Sequence, residues 1–187
     1  GLISICFALL CLACLFTDII SKGHSAFFQT YIQLEIELEP SLLEISDIHD
    51  SKQIKQANYQ TVLRESLRKI FPDVKGRLDK RKLNALISTG ASYQLAEIVQ
   101  ADPSLIGQTF SYYVLADDDI DTWFKSYSAN TEKAFTGRLS DKQLAWLDTL
   151  KSSDLLEQKF NVIFFCNGDS REPELAGIRS AITGSLF

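Results

Sequence analysis

Hydrophobic positions recur along this chain in three rhythms, and each rhythm predicts a different element. From Leu2 to Phe16 the run is apolar except for Ser4, and it continues through Thr17 and Asp18 to Ile20. That approaches the ~20 residues a helix needs to cross a bilayer. No small-residue cleavage pattern follows, as a secretory signal peptide would show, so Ser21 to His24 read as the polar exit of a span that stays attached. From Tyr31 to Pro40 the rhythm is strict alternation, with Ile32, Leu34, Ile36 and Leu38 on one side and Gln33, Glu35, Glu37 and Glu39 on the other. A period of two predicts a half-buried strand, stopped by Pro40. Residues 41–57 are mixed and polar and read as a loop, with a short second strand around Leu42 to Ile45.

The third rhythm is helical. Asn58 caps a helix in which Leu63, Leu67, Ile70 and Phe71 share a face and which Pro72 closes. Asp79 is expected to cap a second helix carrying Leu83, Leu86 and Ile87 and ended by Gly90. A third runs from about Tyr93 to Ala101 with Leu95, Ile98 and Val99 inward, and Asp102-Pro103 stops it. Residues 107–124 are rich in Thr, Phe, Tyr, Val and Trp, which favours a strand, and 125–138 read as a loop. Ser140 and Gln143 make a capping box with Leu139 and Leu144 as its staple, opening a helix that carries Trp146, Leu147 and Leu150. Asp154 and Glu157 repeat the spacing and predict a short helix before Phe160. The fold class that follows is α+β: short helices with a small sheet.

Leu175, Ala176, Ile178, Ala181, Ile182, Leu186 and Phe187 resemble the start of a second membrane helix. With Gly1 in place of Met at one end and an apolar run broken off at the other, the chain reads as part of a longer protein. The organisation expected is a transmembrane helix over 1–21, an extracytoplasmic domain over 22–173 and the start of the next span over 174–187.

Composition narrows the function. The chain has 187 residues, 45% hydrophobic and 23% charged, with 19 basic against 24 acidic residues and a net charge of -5. That is enough apolar residue for a core and the wrong sign for a nucleic-acid binder. Three of four cysteines, Cys6, Cys11 and Cys14, lie in the apolar run; their setting makes the C-x-x-C spacing a feature of a membrane helix, not a redox or metal site. Cys166 stands alone, so there is no pair for a disulfide framework in the remainder.

Candidate chemistry is sparse. Asp117, Asp119 and Asp121 match the first ligand positions of a calcium loop, but Thr122 stands where the sharp turn needs glycine and Ser128 where a bidentate glutamate is needed. The segment reads as a solvated acidic turn. Gly168-Asp169-Ser170 imitates an esterase nucleophile motif, yet the only histidines, His24 and His49, lie upstream, and such a serine needs a histidine base. No catalytic, cofactor-binding or metal-ligating residue is assigned. Charge is uneven: Arg64 to Lys82 holds eight basic residues against three acidic, and Asp102 to Phe124 holds five aspartates and no Lys or Arg. A basic face of that kind steers or holds anions, or is an ordinary solvated face.

The end of the chain carries the most specific pattern: Phe160-Asn161, Phe164-Phe165, then Asn167-Gly168-Asp169-Ser170-Arg171-Glu172-Pro173-Glu174-Leu175-Ala176-Gly177-Ile178. With Lys22-Gly23, Ala26-Phe27, Gln29-Thr30 and Asp102-Pro103-Ser104-Leu105-Ile106-Gly107, it resembles the N-terminal part of PstA, the permease subunit of bacterial phosphate-specific ABC importers, in the version with an uncharacterised extracytoplasmic domain. Arg179 and Cys166 depart from that pattern. The resemblance implies a non-catalytic part of an inner-membrane permease, with a second permease subunit, an ATPase subunit and a periplasmic phosphate-binding protein as partners, and the domain's surface open to contact with them. The rival expectations are a membrane-anchored anion sensor using Lys75 to Lys82 and an anchored hydrolase using Ser170.

Overall fold

A computed structural model describes residues 1–48, 50–128, 138–170 and 175–186. The alternating segment is the centre of the architecture. β1 (Phe28–Glu37) lies between β2 (Thr109–Leu115) and β3 (Leu156–Phe160) in an antiparallel sheet ordered β2-β1-β3. Ile32 pairs with Val114 on one side and Leu156 on the other. Because side chains alternate across a strand, Ile32, Leu34, Ile36 and Leu38 all fall on one face and are 0–1% exposed. Each such side chain contributes about 1.5–3 kcal/mol when fully buried.

That apolar face is covered by helices whose own stripes face it. α4 (Tyr59–Ile70) packs on β1 through Val62, Leu63 and Leu67, and its Asn58 cap accepts from the Thr61 N–H at 3.2 Å. α6 (Ala91–Ala101) packs on α4 through Leu95 and Val99. Ile98, expected inward, is 37% exposed, since it lies off the stripe that Ala91, Leu95 and Val99 define. The short α2 (Pro40–Leu43) and α3 (Ser51–Gln56) complete that layer. α8 (Asp141–Ser152) opens with the expected box, the Ser140 N–H donating to Gln143 Oε1 at 3.1 Å, and its Leu147 and Leu150 are fully buried.

Five expectations are corrected. Leu42 to Ile45 is not a strand: Pro40 at the first helical position favours a turn of helix, which ends where Glu44 takes a left-handed conformation with φ 59°. The helix expected from Asp79 instead is α5 (Arg77–Asn84), with Gly76 at its cap and Asp79 inside its first turn. The β-rich stretch 107–124 divides: β2 stops at Leu115 and α7 (Asp118–Ser128) follows, its three first-turn aspartates favourable at the positive end of the helix dipole. The helix expected after Asp154 is β3. Asp154 takes φ 57° at the end of α8, and the chain turns there into the sheet, where the Leu155 carbonyl accepts from Gln33 N–H at 2.8 Å. The loop expected over 125–138 is helical as far as 128, and 129–137 lie outside the described residues.

α1 (Leu2–Gly23) stands apart from this core. Its segment Leu2–Ser21 has a mean hydropathy of 2.5 and none of it is buried, so among the described residues it is the one helix long and apolar enough to cross a membrane. A 3-10 turn, His24–Phe27, joins it directly to β1. Phenylalanines gather at this junction: Phe27 stacks on Phe165 with centroids 5.9 Å apart, Phe165 on Phe160 at 5.5 Å, and Phe160 meets Phe28 edge-on at 6.1 Å. All four are more than a third exposed. Phe165 belongs to α9 (Val162–Cys166), which Asn161 caps by accepting from Phe164 N–H at 2.8 Å. After Leu175, α10 (Arg179–Leu186) packs against α9 and has eight residues, short of a span.

The sheet carries a pH-dependent element. Burial, and then Tyr31 and Glu97 nearby, push the Tyr112 hydroxyl up from 10.0 to about 12. A phenol kept neutral by the fold while the unfolded chain ionises it lends stability that is complete below pH 10 and lost as the pH climbs to about 12. Allowing for partial exposure, that contribution amounts to about 2 kcal/mol. Melting followed from neutral to alkaline pH is expected to fall most steeply in that window, and Tyr112→Phe is expected to flatten the fall.

Candidate functional site

The basic run noted in the sequence folds into a concave surface. Gln60, Arg64 and Arg68 recur every four residues along α4, which places them on one stripe beside the buried one. On α5, Arg77, Lys80 and Asn84 follow the same helical spacing, with Arg81 next to them, and α4 and α5 are packed neighbours. Lys75, in the turn between the two helices, closes one end. Together these side chains line a cleft of about 650 Å³ whose far wall is Ile87, Thr89 and Asp117. That wall is held in place by the backbone: Ile87 bridges Ala116, Ser88 N–H donates to the Leu115 carbonyl at 3.0 Å, and Asp117 N–H donates to the Leu86 carbonyl at 3.1 Å.

Electrostatically the cleft is one-sided. Six cations line it against the single carboxylate of Asp117. Arg68 is bonded to Glu65, but among the described residues Arg64, Lys75, Arg77, Lys80 and Arg81 make no ion pair. Neighbouring basic residues outside the cleft do find carboxylates: Lys69 meets Glu37 at 2.6 Å, and Lys142 holds Asp79 at 2.7 Å. Two polar atoms in the lining, Arg68 Nε and Asn84 Oδ1, are buried without a hydrogen-bond partner among the described residues. Like charges four apart on a helix cost about 0.2–0.5 kcal/mol each, and both Arg64/Arg68 and Arg77/Arg81 are such pairs. An anion entering here meets forked donors and relieves that repulsion.

The other candidates have structural occupations. Asp121 does not point to a cation: its Oδ1 accepts from both the N–H and the hydroxyl of Thr30, at 2.9 and 2.8 Å, and its Oδ2 pairs with Lys125 at 2.5 Å. Asp117 Oδ1 accepts from Asp119 N–H at 3.1 Å, capping α7. Among the described residues no three His, Cys, Asp or Glu side chains gather as metal ligands do. Cys11 and Cys14 are exposed on α1 with Cys6, and Cys166 is exposed at the end of α9. His24 sits at the foot of α1 with Nδ1 2.7 Å from the Ser21 carbonyl; His49 and residues 171–174 of the C-terminal pattern lie outside the described residues.

A family model described as a domain of unknown function (DUF3333) matches residues 1–134, a stretch that contains α1, the sheet's central strand and the whole cleft. No curated protein and no solved structure matches the chain.

Proposed function

As the chain belongs to the DUF3333 family, whose function is unknown, we propose from its own residues that it is the first membrane span and extracytoplasmic domain of the permease subunit of an ATP-driven phosphate importer. The observation that carries the anchored part is the junction of α1 and β1. A fully exposed apolar helix runs through one short turn into the central strand, and at that turn four exposed phenylalanines form a collar. Exposed apolar side chains such as phenylalanine bury shallowly at the headgroup boundary, so the collar seats the domain on the bilayer with α1 below it. The phosphate-importer part rests on the resemblance of residues 160–178, where the Asn161 cap and the close packing of Gly177 on Asn167 shape the return of the chain.

In this reading residues 22–173 lie on the periplasmic side of a bacterial inner membrane, the domain carries out no chemistry, and ATP is hydrolysed by a separate subunit. The second permease subunit and the periplasmic phosphate-binding protein are its neighbours. Affinity purification of the parent protein from gently solubilised membranes is expected to yield a second multi-span subunit and a nucleotide-hydrolysing subunit in fixed ratio. Recovery of the protein by itself after chemical cross-linking in intact cells would count against the reading.

The collar has a testable consequence of its own. Replacing Phe160 and Phe165 by serine removes two rings that are 53% and 42% exposed, so folding is expected to change little. Quenching of the protein's fluorescence by lipids brominated near the headgroups should weaken, because the domain no longer rests on the interface.

A further inference from the structure

The cleft between α4 and α5 has room and positive charge for more than one small ion. Its volume is about 650 Å³, within the range of small-molecule sites, whereas an orthophosphate ion displaces roughly two waters, on the order of 60 Å³. Six cations converge on it from three separate segments, α4, α5 and the turn between them. Arg64, Arg77 and Arg81 present planar forks suited to phosphate oxygens, and the buried Arg68 Nε adds a donor that no described group satisfies. Asn84 Oδ1, also in the lining and buried without a hydrogen-bond partner among the described residues, accepts from a ligand hydroxyl or a bound water.

We infer that this cleft binds an anion carrying two or more linked phosphate groups, the shared chemistry of a condensed phosphate and of a lipid headgroup with two phosphates. Two phosphates spaced by a short linker engage more of the six lining cations, on α4 and α5 together, than a single phosphate does. Binding neutralises the like-charge pairs on both helices, so the ligand stabilises the fold and its affinity falls with salt. The site lies wholly within one chain and stands whether or not the importer reading is correct.

The test is calorimetric titration of the full chain, held in nanodiscs of zwitterionic lipid, with pyrophosphate and tripolyphosphate. Saturable binding is expected, at least about tenfold tighter than for orthophosphate, and weakened about tenfold or more by Arg77→Gln combined with Arg81→Gln, the size of a lost charge-assisted contact. Both arginines are exposed and make no ion pair among the described residues, so the melting temperature of this variant is expected to hold or rise; Lys75→Gln repeats the test at the turn. Lys52→Gln with Lys55→Gln removes equal charge from α3, outside the cleft, and should leave binding unchanged. Repeating the titration in discs containing cardiolipin separates the two sources: loss of pyrophosphate binding there assigns the cleft to the headgroup, and retention assigns it to a soluble ligand. The inference is overturned if neither probe saturates, if orthophosphate binds as tightly, or if the α3 pair weakens binding as much as the cleft pair.

Discussion

Asp121→Ala is expected to lower the stability of the domain by about 3 kcal/mol, more than any other single surface-directed change in the acidic segment. Thr30 is 0% exposed, and both its N–H and its hydroxyl donate to the same Asp121 oxygen. Removing the carboxylate leaves two buried donors unsatisfied, each costing about 1–3 kcal/mol, and frees Lys125 from its partner at 2.5 Å. Asp121→Asn retains an acceptor for Thr30 and loses only the charge, so its cost should be intermediate. Asp118→Ala, at an exposed position of the same turn, should cost about 0.3–1 kcal/mol through the helix dipole. Urea unfolding of the three variants checks the order. Equal losses for Asp121→Ala and Asp118→Ala would mean that the segment works as a diffuse acidic surface and not as a tether between α7 and β1.

Gly177→Ala is expected to cost about 3 kcal/mol, for a steric reason. A Cβ there would lie 2.3 Å from the Asn167 carbonyl oxygen and 2.9 Å from that of Ile163, both rigid backbone. The same short stretch is held by three backbone hydrogen bonds: Gly177 N–H to the Gly168 carbonyl at 2.8 Å, Ile178 N–H to Phe164 at 2.8 Å, and Arg179 N–H to Asn167 at 3.1 Å. They cannot all survive the displacement a methyl group requires. Leu175, whose side chain occupies the space beside Gly90, would be drawn from its seat. A methyl group added at Gly184 would meet nothing within 4 Å, so Gly184→Ala serves as the neutral comparison. Thermal melting with limited proteolysis distinguishes the two: early cleavage after Cys166 is expected for Gly177→Ala only.

The parts of this fold that were legible in the sequence are those where one local rule acted without competition. Alternation from Ile32 to Leu38 predicted a one-sided strand, and those four residues are the buried spine of the sheet. Asn58 and the Ser140/Gln143 pair announced helix starts because their side chains satisfy backbone N–H groups at the first turn. Where two rules conflicted, composition misled. Ile120, Trp123, Phe124 and Tyr127 are spaced at three, four and seven residues and form a helical face, but β-favouring side chains around them hid that period. Ile120 and Trp123 are buried as a helix requires. β3 was hidden for the opposite reason: Leu156 to Phe160 has little apolar alternation, and its strand character comes from pairing with β1, a long-range contact that no local pattern encodes.

The cleft was half legible. The excess of basic residues between Arg64 and Lys82 was plain, but charge in a linear count does not distinguish a solvated face from a converging one. The distinguishing signal lay in phase. Gln60, Arg64 and Arg68 recur at four-residue intervals, and Arg77, Lys80 and Asn84 at three and four, so each helix carries its polar donors on one stripe; only the packing of α4 on α5 brings the stripes together. The C-terminal pattern was legible as a specific string and not as a shape. Its glycine at 177 marks a close backbone approach, and its asparagines are ties, Asn161 capping α9 and Asn167 Nδ2 donating to the Leu175 carbonyl at 3.2 Å.

The most direct measurement of the central claim is uptake of radiolabelled phosphate by cells in which the parent protein has been depleted and then restored. Energy-dependent uptake is expected to be lost on depletion, to return with the intact protein, and not to return with a version lacking α1. Uptake unchanged by depletion, with all other importers of phosphate disabled, would contradict the importer reading.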